Sequence, residues 1–274
     1  MPPLRVLRLV VVLAAAAAVA LIAPPAASTQ QAPVGTAGVT PSTAGKPSTV
    51  FLDFDPGSFG SSAQAPRSIV LAILRGFKID VRSRAARCSD AAAQSFQCPA
   101  ASRIGSGQAI VNARAFFLPA AGTNFTVSIA AFLARPAVRG DLASVVLLVN
   151  ETSTGTRRVL RGRLMRLARG PFGAELSIDV SGIAGAPAGV RLSVRRFQML
   201  VGARRTVRRV KIVRKRVRTP SGTRVRRKRV VRRVRYHLIT NPRTCAGTWP
   251  YQVRVAFPAQ QTTLSGAMTC TAAR

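Results

Sequence analysis

From Val50 onward the apolar residues of this 274-residue chain are broken at strand-length intervals by turn residues. "VFLDF", "SIVLAILRGFKIDV", "AIVNARAFFL", "FTVSIAAFLA", "ASVVLLV", "AELSIDV" and "GVRLSV" alternate with polar positions or are β-branched, and "ARPAVRGD", "NETSTGT", "ARGPFG" and "SGIAGAPAG" separate them. β-Branched side chains favour extended backbone, and clusters of Gly, Pro, Asn and Ser end it. The pattern predicts an all-β domain over 50–274, built as an antiparallel β-sandwich. With 47% hydrophobic residues but only 5% aromatic, its core has to be made of Val, Leu, Ile and Ala.

Two stretches test that reading. In "SDAAAQSFQ" three alanines follow Ser89 and Asp90, which suits one short capped helical turn before Cys98-Pro99 stops it. "RGRLMRLARG" places Leu164, Leu167 and Ala168 at helical spacing, but its neighbours and Gly170-Pro171 favour a strand.

The N-terminus reads as an address. Arg5 and Arg8 precede the apolar run Leu9 to Ala23, and "PPAAS" supplies small residues for cleavage near Ala27, so 1–27 is expected to be a signal peptide. Residues 28–49, rich in Pro, Gly, Ser and Thr, have little bulk to repay ordering entropy and are expected to form a disordered linker. "GSGQA" lacks the lysine of a phosphate loop and is expected to be a turn leading into a strand.

Charge sets the partners. The chain has 42 Lys and Arg against 8 Asp and Glu, a formal charge of +34. Seventeen of the cations lie in one run without an acid: Arg204, Arg205, Arg208, Arg209, Lys211, Arg214, Lys215, Arg216, Arg218, Arg224, Arg226, Arg227, Lys228, Arg229, Arg232, Arg233 and Arg235. The run is nearly a mirror image about Ser221, and Pro220-Ser221-Gly222 has the composition of a three-residue hairpin loop. It is therefore expected to be a basic β-hairpin in which Ile212 faces Val230 and Val213 faces Arg229.

Two further segments, "RCSDAAAQSFQCPAASRIGSGQA" and "YHLITNPRTCAGTWPYQVRVAF", carry the marks C…CPxxSxxGxGxA and NPxTCxGxWP. In these the chain resembles an uncharacterised family of exported actinobacterial proteins. The resemblance implies a secreted, β-sandwich-like domain and carries no activity with it. Four cysteines admit three disulfide pairings. Cys88 and Cys98 are close enough to close a small loop, and Cys245 and Cys270 flank the last expected hairpin, so the local pairing is preferred. Without a CxxC pair, and with His237 as the only histidine, metal binding is not expected.

Chemistry has few candidate groups here. Asp53 and Asp55 share a strand face, where they are expected to neutralise arginines, and His237 lacks a Ser or Cys partner. No catalytic residue and no cofactor is expected. Trp249 and Tyr251 are expected to be packing residues. Guanidinium groups make paired contacts to phosphate and carboxylate, and the run has no aromatic residue for stacking on bases. The reading is thus a non-enzymatic exported protein that associates with anionic cell-envelope polymers or membrane headgroups. Its alternatives are a scaffold domain for an acidic protein partner and a secreted hydrolase with an unrecognised site, and nucleic acid ranks behind the envelope anions.

Overall fold

In the computed structural model the described residues are 34–55, 66–115, 118–119, 122–151, 155–181, 190–219, 222–258 and 261–273. The expected signal peptide, 1–27, lies outside them. The strands are β1 (Val34–Thr40), β2 (Pro47–Asp55), β3 (Ser68–Leu74), β4 (Lys78–Ile79), β5 (Arg103–Arg114), β6 (Thr123–Ala134), β7 (Ala143–Glu151) and β8 (Arg157–Arg166). They continue as β9 (Phe172–Asp179), β10 (Arg191–Val201), β11 (Arg204–Thr219), β12 (Gly222–His237), β13 (Ile239–Thr240), β14 (Thr248–Ala256) and β15 (Gln261–Thr269). One α-helix, α1 (Asp90–Gln94), lies between β4 and β5, capped by Ser89, whose hydroxyl accepts from the Ala92 amide. The all-β antiparallel architecture with a long basic hairpin and one short helical turn is as the sequence predicts.

Among the described residues, all the strands except β11 and β12 belong to one sheet in the order β15-β14-β3-β9-β8-β7-β6-β5-β10-β2, with β1 and β13 on β2, β4 on β13, and all the ladders antiparallel. A right-handed twist accumulated over so many strands turns a sheet back on itself. Here β1 comes to lie beside β15, and the Tyr251 hydroxyl donates to the Gly35 carbonyl across that junction (3.3 Å). The two layers of the expected sandwich are therefore parts of a single hydrogen-bonded sheet wrapped around one core. Alternation sets the inner face: Val145, Leu147 and Val149 of β7 join Leu133, Leu160, Val253 and Trp249 inside. "RGRLMR" is strand β8, with Leu160 and Leu164 inward.

β7 is buried on its other face as well. Val146 and Leu148 pack with Phe132, Ala134 and Ala93 beneath α1, which the Cys88–Cys98 disulfide ties to the sheet. Cys245–Cys270 links the segment before β14 to the end of β15. Both pairings are the local ones.

Two expectations are corrected. The stretch 28–49 is no linker where it is described: from Val34 it forms β1, paired with β2 from Val34↔Asp55 to Thr40↔Thr49, with Ala37 and Val39 buried. Small residues suit this position. A Cβ on Gly38 would sit 2.2 Å from the Phe51 ring and one on Gly35 2.9 Å from Phe54, so the strand lies against aromatic rings that bulkier residues would displace. Buried Asn241 holds the following turn, donating from Nδ2 to the carbonyls of Pro41 (2.8 Å) and Thr43 (2.9 Å). Likewise "GSGQA" is not a turn but part of β5. There Gly105 and Gly107 let β10 approach, with the Leu200 and Gln198 carbonyls 2.3 and 2.2 Å from where a Cβ would stand.

Candidate anion-binding hairpin

β11 and β12 pair only with each other and form a two-stranded ribbon of 16 residues a side. The chain leaves β2 at Val201↔Val50 and returns to it at Ile239↔Ser48, so the ribbon is an insertion at one edge point of the large sheet. Its ladder continues into the body through the Leu238 amide, which donates to the Ala203 carbonyl (2.8 Å).

The register differs from the expected mirror by one residue. Thr219 faces Gly222, which leaves the two residues Pro220-Ser221 between the strands; Ile212 then faces Arg229 and Val213 faces Lys228. The slip places Val207 opposite Val234 and Val210 opposite Val231, whereas the mirror about Ser221 would set these two valines against Arg235 and Arg232. Cross-strand β-branched pairs contribute about 0.2–1 kcal/mol each, and these two pairs favour the observed register at the root of the ribbon. Cations still face one another at Arg208↔Arg233, Arg209↔Arg232 and Arg214↔Arg227.

Tyr236 anchors the root. Arg209 donates from Nη2 to its hydroxyl (2.6 Å), and the guanidinium groups of Arg82 and Arg209 lie 5.3 and 5.8 Å from its ring centre. Arg82 is held in turn by Asp80 (2.8 Å), and this hydrogen bond keeps the Asp80 carboxyl below its usual pKa. Arg87 donates to the carbonyls of Val81, Arg84 and Ala86, and its pKa is drawn down by burial and then by repulsion from Arg205. It remains protonated at any physiological pH. Arg82 and Arg87 thus extend the cationic surface beyond the run read from sequence. The signal that points to Arg82 is Tyr236, an aromatic residue directly after the last arginine.

The acids lie elsewhere. Among the described residues the ion pairs are Arg82–Asp80, Arg161–Asp90, Arg163–Asp141, Arg196–Asp53 and Arg254–Glu175, and none includes a cation between 204 and 235. Asp53 accepts from Arg196 and Gln198, which lowers its pKa, in keeping with a neutralising role. His237 stands opposite Arg204, while Asp53 stands opposite Gln198, so the two residues considered for hydrolysis are not brought together. Trp249 is buried against Phe77, with ring centres 5.4 Å apart, and its Nε1 donates to the Thr244 carbonyl. No group of three His, Cys, Asp or Glu suited to a metal is found among the described residues. No helix there is long and apolar enough to cross a membrane.

Comparisons with protein-family models and with curated proteins find no match for this chain.

Proposed function

We propose that this is a non-enzymatic exported protein that associates with anionic phosphate- or carboxylate-bearing polymers or lipid headgroups of the cell envelope through the ribbon of β11 and β12. The observation that carries the reading is a paired ladder of cations with no acid among its described ion pairs, standing clear of a body whose own carboxylates are engaged. An anion lying across Arg208↔Arg233 or Arg214↔Arg227 relieves their repulsion and releases condensed counterions, so affinity falls steeply with salt. Two disulfides are compatible with an extracellular location.

One face of the ribbon favours lipid surfaces over purely polar polymers. Val210 and Val231 face each other there, Ile212 and Val225 lie on the same side, and Ile212 is 63% exposed. Exposed β-branched residues between arginines gain from the boundary between headgroups and acyl chains, where the cations meet phosphate.

The test compares the full chain with a variant in which 204–237 is replaced by Asn-Gly between Ala203 and Leu238, which keeps the ladder register. Binding to anionic vesicles, neutral vesicles and soluble polyphosphate is measured from low to high salt. Loss on the order of a hundredfold or more at low salt in the variant supports the ribbon. Undiminished binding would move the function to the remaining cations. Saturable binding to one acidic protein, with none to vesicles or polymer, would favour the scaffold alternative.

A further inference from the structure

The large sheet does not fill its own interior. Near the Val50 and Leu238 end only about 70 Å³ stays empty between inward side chains, but at the opposite end a cavity of about 520 Å³ opens. Protein interiors are close-packed and rarely leave more than a water-sized void, so space on this scale calls for an occupant. It falls within the usual range of ligand sites, about 300–1,000 Å³, and wrapped sheets of many strands are a common place for them.

The cavity has a clear chemical character. Inward positions of successive strands line it in register: Ala109 and Val111 on β5, Val127 and Ile129 on β6, Leu147 and Val149 on β7. Ala109 and Ala113 make room where neighbouring strands carry larger residues. Among the described residues the polar members of the lining are Glu151, Thr156 and Arg158, which flank the connection between β7 and β8, where the Glu151 amide donates to the Thr156 carbonyl. From Leu147 to Glu151 the wall runs about 13 Å along β7. Among the described residues, polar groups at one end and an aliphatic depth without a donor or acceptor side chain disfavour sugars, nucleotides and peptides, which need partners along their length.

We infer that this cavity binds the acyl chain of a single-chain lipid, tail toward Leu147 and Phe197, head beside Glu151, Thr156 and Arg158. The site lies at the far end of β10 from the ribbon, because Leu192 and Val194 line it whereas Val201 leads into β11. It does not depend on the ribbon's anion binding.

The experiment titrates the full chain with the fluorescent fatty acid cis-parinaric acid and displaces it with hexadecanoate. Saturation at one site per chain and displacement by hexadecanoate but not by butyrate are expected. Ala109→Phe and Ile129→Trp, which fill the cavity, should weaken binding at least tenfold, while the Asn-Gly ribbon variant binds as the unaltered chain does. A second measurement covers the case in which the filled variants do not fold: hexadecanoate should raise the melting temperature of the unaltered chain. No such rise overturns the inference, and so does unchanged affinity in folded Ala109→Phe and Ile129→Trp. Probe uptake well above one per chain would place the lipid on the apolar stretch Leu9–Ala23 or on the ribbon and would equally overturn it.

Discussion

β7 and β11 are both rich in valine, yet one is covered on two faces and the other on neither. In β7, Val145, Leu147 and Val149 enter the main core while Val146 and Leu148 lie under α1. In β11, Val210 is 47% and Ile212 63% exposed. What separates them is the residue between the valines. A buried guanidinium needs a carboxylate or several acceptors, and the chain's 8 acids cannot serve the 17 cations of the run. A ribbon of this composition is excluded from the core by charge alone, and its valines are exposed as a result.

The sharpest test of that contrast puts the same charge in both strands. Val146→Arg should prevent folding, or destabilise by more than about 4 kcal/mol, because the guanidinium would have no partner beneath α1. Val210→Arg should shift stability by less than about 0.5 kcal/mol. Thermal melts of the two variants make the comparison, and similar losses would mean that the ribbon packs on the body.

The disulfides come next. By chain entropy, opening Cys245–Cys270, whose cysteines are 25 positions apart, should cost about 3.5 kcal/mol, and opening Cys88–Cys98, 10 apart, about 2.7 kcal/mol. Denaturant unfolding of the paired Cys→Ala variants checks the order. A larger loss at Cys88–Cys98 would show that holding α1 over Val146 and Leu148 outweighs loop length.

Acid separates the two regions by another route. Hydrogen bonds from Arg196 and Arg163 keep Asp53 and Asp141 below the ordinary carboxylate value of 3.8. A depressed folded pKa contributes stability above the unfolded value that is lost as pH falls through the folded one, so the body should weaken below about pH 4. Guanidinium groups in general keep their charge at acid pH, so anion binding has no reason to fall with the body's carboxylates. Melting temperature should fall over that range while polyphosphate binding persists until the body unfolds. Parallel loss of both would tie binding to the body's carboxylates.

The smallest expected effect is that of removing the ribbon. Replacing 204–237 by Asn-Gly should leave the melting temperature within a few degrees of the unaltered chain, since Ala203 and Leu238 are already hydrogen-bonded neighbours. A large fall would mean that Tyr236 and its arginines support the body.

Most of the strand pattern was legible in the sequence because inward and outward residues alternate along strands such as β8, where Leu160, Gly162 and Leu164 are buried and Arg161 and Arg163 exposed. β1 was not, because Gly35 and Gly38 pack by their smallness, which composition registers as a lack of core-forming bulk. The ribbon register could not be separated from its neighbour by one residue, since either pairing opposes arginines. The cavity was hidden for a different reason: Ala109, Val127 and Leu147 look the same in sequence whether they fill space or border it. Arg204 to Arg235 as a cationic unit was plain, whereas Arg82 and Arg87 join it only through the fold.

A ribbon of 16 residues a side reaches about 50 Å from its root. The Debye length at physiological ionic strength is about 8 Å, so its tip and its root are several screening lengths apart. An anion seated at Arg227 is electrostatically invisible to Arg205, and each stretch of the ladder fills without discouraging the next. In the proposed reading the ribbon is a row of independent docking points in which occupancy grows with the length of the polymer or the area of the surface it meets, and the proposed acyl cavity at the other end of the sheet is beyond the reach of that charge altogether.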